Sequence, residues 1–115
     1  MNSKVLPRQQ DIVWLDFMPS AGQEITGRHP AVVLSTSGYT EITGLVAVSP
    51  ITHAANNRLK DFFIPIHSAQ IEGYINPLQF YTFSITKRHL QFTDEALGDL
   101  AFAQLMKVHQ QLLDI

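Results

Sequence analysis

The sequence contains no cysteine, which removes disulfides, thiol nucleophiles and thiolate metal sites together. It has no apolar run near the roughly 18 to 20 residues that a bilayer crossing needs, so no membrane is expected as a partner. The opening Met-Asn-Ser-Lys-Val-Leu-Pro-Arg8 lacks the apolar core of a secretory leader, and a cytoplasmic location is expected. Positive charge is not in excess: 8 Lys and Arg stand against 10 Asp and Glu, for a formal net charge of -2. A protein that coats nucleic acid through bulk charge is strongly basic, so any phosphate site here has to be local. The five histidines, His29, His53, His67, His89 and His109, form no HxxH or HExxH pattern, and neither a metal nor a cofactor is expected.

What is present suits one globular domain spanning residues 1–115, with 45% hydrophobic and 16% charged residues, long enough for a real core and too short for two domains. Asp11-Ile-Val-Trp-Leu-Asp-Phe17 alternates as a strand. The stretch from Gly22 to Pro30 reads as a polar, glycine-bracketed loop carrying Glu24, Arg28 and His29. Pro30 fixes its own φ and pushes His29 toward extended geometry. The loop feeds into Ala31–Leu34, an apolar run expected to be a strand buried on both faces.

Ser37-Gly38-Tyr39 gives a turn and Gly44–Ser49 a third strand that ends at Pro50. Residues 51–60 form a second chemically loaded loop, with Thr52, His53, Arg58 and Lys60 within ten residues. Asp61–Ile66 is strand-like, with Pro65 placing it at a sheet edge or bulge. Short strands follow at Gly73–Asn76 and Gln79–Ser84. From Thr93 the apolar period changes to three and four, through Ala96, Leu97, Leu100, Ala101, Leu105, Val108 and Leu112. This predicts an amphipathic helix, with Thr93 as N-cap and Asp94 and Glu95 in its first turn. Strands first and one long helix last describe an α+β fold, a small barrel or half-open barrel with a helix packed on it.

Several of these segments together resemble the MazF/PemK (Kid) family, the toxins of type II toxin-antitoxin modules. They are Asp11–Phe17, Pro19, Gly22, Glu24, Gly27, Pro30-Ala-Val-Val-Leu-Ser35, Gly44, Val48-Ser-Pro-Ile-Thr52, Gly73 and Gln79. The likeness runs from about residue 10 into the C-terminal helix. It implies an SH3-like plasmid-maintenance-toxin barrel that forms a homodimer. It also implies a sequence-specific, metal-independent endoribonuclease that cuts single-stranded RNA, chiefly mRNA. A cognate antitoxin would silence it by wrapping an acidic, disordered segment over the active site. Two departures stand out. The family's Gly-His-Arg-Pro or Gly-Lys-Arg-Pro is here Gly27-Arg28-His29-Pro30, so His29 occupies the place of the usual catalytic arginine. The family's Asp-Gln pair is Leu78-Gln79, while Thr52, also linked to catalysis, is retained.

Metal-free RNA cleavage needs a base for the 2′-hydroxyl, an acid for the leaving 5′-oxygen and a cation for the charge on the phosphorane. Histidine serves as acid or base near neutrality, and arginine offers a fork that matches phosphate. The expected catalytic set is therefore His29 as base or acid, Arg28 on the phosphate, the Thr52 hydroxyl on a non-bridging oxygen, and His53 as a further acid or base. Neighbouring side chains in an extended segment point to opposite faces, so the exchanged pair can also send Arg28 away from the groove. Arg58, Lys60, Lys87 and Arg88 are candidate RNA-phosphate contacts, and Glu24 and Gln79 complete the RNA-binding set. Glu24 either pairs with Arg28 or is solvated.

Two other functions compete with this one. One is a non-enzymatic gyrase poison of the CcdB group, weakened because the chain ends Gln110-Gln-Leu-Leu-Asp-Ile115 without the tryptophan-containing tail those proteins use. The other is a catalytically impaired relative that only binds an antitoxin or another partner.

Overall fold

Alternation and β-branching in the first half of the chain build a single curled antiparallel sheet, and the helical period at its end supplies a cover for one face. The structure, a computed structural model, describes residues 6–17, 27–53 and 59–114. The strands are β1 (Asp11–Phe17), β2 (Gly27–Val33), β3 (Leu45–Thr52), β4 (Ile64–His67), β5 (Glu72–Ile75), β6 (Tyr81–Ser84) and β7 (Gln91–Ala96). Two helices, α1 (Ser37–Thr43) and α2 (Asp99–Leu113), complete the fold. The sheet runs β4-β5-β3-β2-β1-β7, and β6 pairs with β3. β3 is the hub: Val48–Pro50 pair with β2, Leu45–Val48 with β6, and Ile51 and Thr52 with β5. The result is an antiparallel half-barrel with a C-terminal helix, the α+β arrangement expected from the sequence.

The period of two sorts the core into two layers. Ile12, Val32, Ile51, Ile64, Ile66 and Ile75 point to the side that α2 covers with Leu105, and Trp14, Phe102 and Met106 pack against them. Val13, Leu15, Phe17, Ala31, Val33, Val46, Val48 and Phe83 fill the other side. Ala31–Leu34 is buried on both faces, as its unbroken apolar run predicts.

Four elements differ from the sequence expectation. β2 begins at Gly27, so Arg28, His29 and Pro30 are strand residues and not the end of a loop. Ser37–Thr43 is a short helix where a turn was expected. Thr36 caps it by accepting from the Tyr39 N–H, and Gly44 ends it in the left-handed region at φ 74°; its seven residues carry no apolar period. Asp61 and Phe62 lie in a 3-10 turn, Lys60–Phe62, and the strand starts only at Ile64; Pro65 sits on an edge strand as expected.

Thr93 is not a helix cap. It lies in β7, its hydroxyl donating to the Ile12 carbonyl at 2.7 Å. The register against β1 shifts from Ile12↔Glu95 to Val13↔Phe92, and Asp94 takes a positive φ of 66°. A bulge of this kind re-aims the strand end, and α2 starts beyond Gly98. Leu100, assigned to the apolar stripe, is 89% exposed, whereas His109 is buried.

Candidate functional site

His29 and Thr52 are brought onto one face of the sheet by strand parity. His29 pairs with Leu15 in the β1–β2 register, and its ring meets Phe17 edge-on at 5.8 Å. Phe17 in turn packs edge-on against Tyr81 at 5.4 Å and Phe83 at 5.0 Å. The β2–β3 pairing ends at Ala31↔Pro50; His29 and Thr52 each lie two residues beyond that pair, and the period of two puts both on the Phe17 side. There β3 turns to β5, pairing Thr52 with Tyr74, and Tyr74 pairs with Pro65 of β4. Thr52, Tyr74 and Pro65 thus form a row across three strands, and His29 is on the same face at the start of β2. Gly73 makes the row possible: its φ is +154°, and a Cβ there would lie 2.6 Å from the Thr52 carbonyl oxygen. Only glycine lets β5 approach β3 so closely.

Arg28 belongs to the opposite face. It pairs with Asp16 in register, and its guanidinium donates to Asp16 Oδ1 at 2.8 Å, the His89 carbonyl at 3.0 Å and Gln91 Oε1 at 3.1 Å. Asp16 also receives His89 Nδ1 at 2.7 Å. The hydrogen bond from His89, followed by that from Arg28, holds the Asp16 carboxyl below the usual carboxylate range. His89 is a non-glycine residue at φ 54°, fixed there by the turn that follows β6. The arrangement ties the β1–β2 lip to β7, and the structure does not bring Arg28 and His29 to a common phosphate. Asp16, His89 and Gln91 carried no signal in the sequence beyond the register that unites them.

The other candidates are spread. His53 is exposed, one residue beyond Thr52, and borders an open depression of about 390 Å³ together with Pro65, His67, Glu72 and Tyr74. Lys60 is exposed in the 3-10 turn and Lys87 in the turn after β6. Arg88 lies on the His29 side, its guanidinium 4.5 Å from the centroid of the Phe83 ring and donating to the Asp16 carbonyl at 3.3 Å. Glu24 and Arg58 lie outside the described residues.

Gln79 closes the turn after β5: its Oε1 accepts from Asn76 Nδ2 at 3.2 Å, and its carbonyl accepts from the Ser49 hydroxyl at 3.0 Å. With that proton committed, Ser49 Oγ accepts from His109 Nε2–H at 2.9 Å. Burial pushes the His109 imidazole below its ordinary pKa. Phe80 covers its ring edge-on at 5.3 Å. Among the described residues no group of three or more His, Asp or Glu is placed to hold a metal. No described helix is long and apolar enough to cross a membrane.

The family model of the PemK-like, MazF-like toxins of type II toxin-antitoxin systems matches residues 8–115. The chain belongs to this family. Endoribonuclease toxin MazF of Escherichia coli (strain K12) is 42% identical over 52 residues, 45% of this chain and 47% of that protein. The aligned stretch thus spans about half the length of the curated relatives. A crystal structure of MazF from Deinococcus radiodurans superposes with a TM-score of 0.84 at 28% identity, covering 97% of this chain and 100% of that one. A MazE-MazF structure from the same organism gives a TM-score of 0.79 at 27% identity, over 96% of this chain and 99% of that one. The likeness extends over the half-barrel and α2, the elements on which the family expectation rested.

Proposed function

We propose that this chain is a metal-independent endoribonuclease toxin of the cytoplasm, a homodimer that cuts single-stranded RNA and is neutralised by a cognate antitoxin. Its relatives carry the names endoribonuclease and MazF, and related solved structures pair MazF with MazE. The observation that carries the reading is the placement of His29 and Thr52 on one sheet face. Adjacent strands lie about 5 Å apart, and an imidazole and a hydroxyl on neighbouring strands of one face can share a phosphate.

In this reading His29 takes the 2′-hydroxyl proton, and the 2′-oxygen attacks phosphorus. Thr52 donates to a non-bridging oxygen as charge develops. His53 returns a proton to the departing 5′-oxygen, so the products are a 2′,3′-cyclic phosphate and a 5′-hydroxyl. Arg88, on the His29 side, takes the place of Arg28 as the cation for RNA phosphate. An acidic antitoxin segment would occupy the same face.

Purified protein incubated with a long single-stranded RNA in EDTA tests this. Discrete cuts by the wild type, lost in His29→Ala and Thr52→Ala, support it; an RNA left intact by the wild type overturns it, and cuts that survive both substitutions overturn the roles of His29 and Thr52. The turning of Arg28 to the far face favours a second reading, a protein that binds antitoxin but cuts poorly. Intact RNA together with tight antitoxin binding would establish that one.

A further inference from the structure

The depression beside Thr52 has a composition unlike a phosphate site. The β4–β5 hairpin buries Ile64, Ile66 and Ile75 on its inner side and presents Pro65, His67, Glu72 and Tyr74 outward. Pro65, Ile66, His67, Glu72, Gly73, Tyr74 and His53 border an open depression of about 390 Å³, a size that suits a small planar ligand. Tyr74 stands in the catalytic row itself, paired with Thr52, and leaves 37% of its surface exposed.

Glu72 and His67 face each other in register, with Nδ1 3.2 Å from Oε2 and side chains 75% and 82% exposed. A contact so open to water adds little to folding. It sets the carboxylate at the rim of the depression, two residues from the Tyr74 ring. A carboxylate repels phosphate and accepts from N–H groups, and an exposed tyrosine ring offers a surface for stacking.

We propose that this depression is a nucleobase subsite for the nucleotide next to the scissile phosphate, stacking the base on Tyr74 and reading its exocyclic amine with Glu72. Adenine, cytosine and guanine each carry such an amine, whereas uracil has a carbonyl at the matching position and offers the carboxylate only its N3–H, a poorer match. His53 bridges the two sites, one residue beyond Thr52 and on the border of the depression. The subsite rests on the RNA-cleaving reading for its position, while its base preference can be measured without cleavage.

The test uses fluorescein-labelled 2′-O-methyl oligonucleotides of adenine, cytosine or uracil, which cannot be cut because the attacking hydroxyl is blocked, with binding followed by anisotropy. The wild type is expected to bind the adenine and cytosine strands about ten-fold more tightly than the uracil strand, as one stacked and hydrogen-bonded base allows. Glu72→Ala should bring the three within about two-fold, and Tyr74→Ala should weaken all of them about ten-fold. Tyr74→Phe, which keeps the ring, should restore binding and guards against a folding artefact. Equal binding of all three strands by the wild type, or a preference unchanged in Glu72→Ala, overturns the subsite. Cut-site mapping on long RNA separates the two claims: base-selective binding with no cuts removes the nuclease reading and leaves the subsite, and cuts with no dependence on Glu72 do the reverse.

Discussion

Arg28 and His29 are joined by one peptide bond, yet Arg28 is held by Asp16, the His89 carbonyl and Gln91 on the β7 side, while His29 lies against Phe17 on the other face. The difference comes from β2 beginning at Gly27: once the pair is inside a strand, the period of two sends its members apart. Exchanging two neighbouring residues therefore does more than permute a motif. It moves the guanidinium into a brace for the β1–β2 lip and leaves the imidazole against Phe17 on the other face.

The sharpest way to break the comparison is at His29. His29→Ala should lower RNA cleavage in EDTA by on the order of 10² to 10³, the scale of a lost general base. Its melting temperature should stay near that of the wild type, since the ring is half-buried and its removal opens no sealed core. Arg28→Ala should show its main effect in the melting temperature, which falls as the lip loses its tie to β7, measured by differential scanning fluorimetry.

Next in size is Gly73→Ala. A methyl group 2.6 Å from the Thr52 carbonyl oxygen forces β5 away from β3, at a cost of about 2 kcal/mol. Urea denaturation should show the loss, and cleavage should fall with it because Thr52 is displaced.

A smaller effect comes from His109. Burial holds its imidazole below the ordinary value, so as the pH falls the unfolded chain takes up this proton before the folded one. The stability it confers is full above the ordinary imidazole range and declines as pH drops below it. The melting temperature should fall between pH 7.5 and pH 5, and His109→Leu should flatten that part of the profile. The smallest effect concerns Asp16, whose depressed carboxyl supports the fold above the usual carboxylate range and loses that contribution as pH falls through its lowered value. Asp16→Asn should remove this acid-side slope, measured by the same melting series.

The strands at Asp11–Phe17 and Ala31–Leu34 and the terminal helix were legible because those stretches carry strong periods. β7 as a whole was not, because Thr93-Asp94-Glu95 reads like a helix start while a bulge and the Thr93–Ile12 hydrogen bond keep it in the sheet. The inward face of α2 was only partly legible. Phe102, Met106 and His109 face inward along with Leu105, whereas Leu100 and Leu112, apolar at the expected spacing, remain exposed. At the candidate site, residue types pointed to His29, Thr52 and His53. The separation of Arg28 from His29 needed the strand boundary, and the Tyr74–Glu72–His67 depression needed the pairing of β3, β5 and β4, which no local pattern encodes.

β4 is four residues long, closes the sheet on one side and carries Pro65 at its second position. A proline there withholds a main-chain donor from any newcomer strand, and so short an edge has few others to offer. An extended polypeptide arriving at this rim finds only a short, interrupted ladder to join. Recognition along this border falls to side chains, which ties partner choice to residue identity rather than to a generic affinity for β-structure.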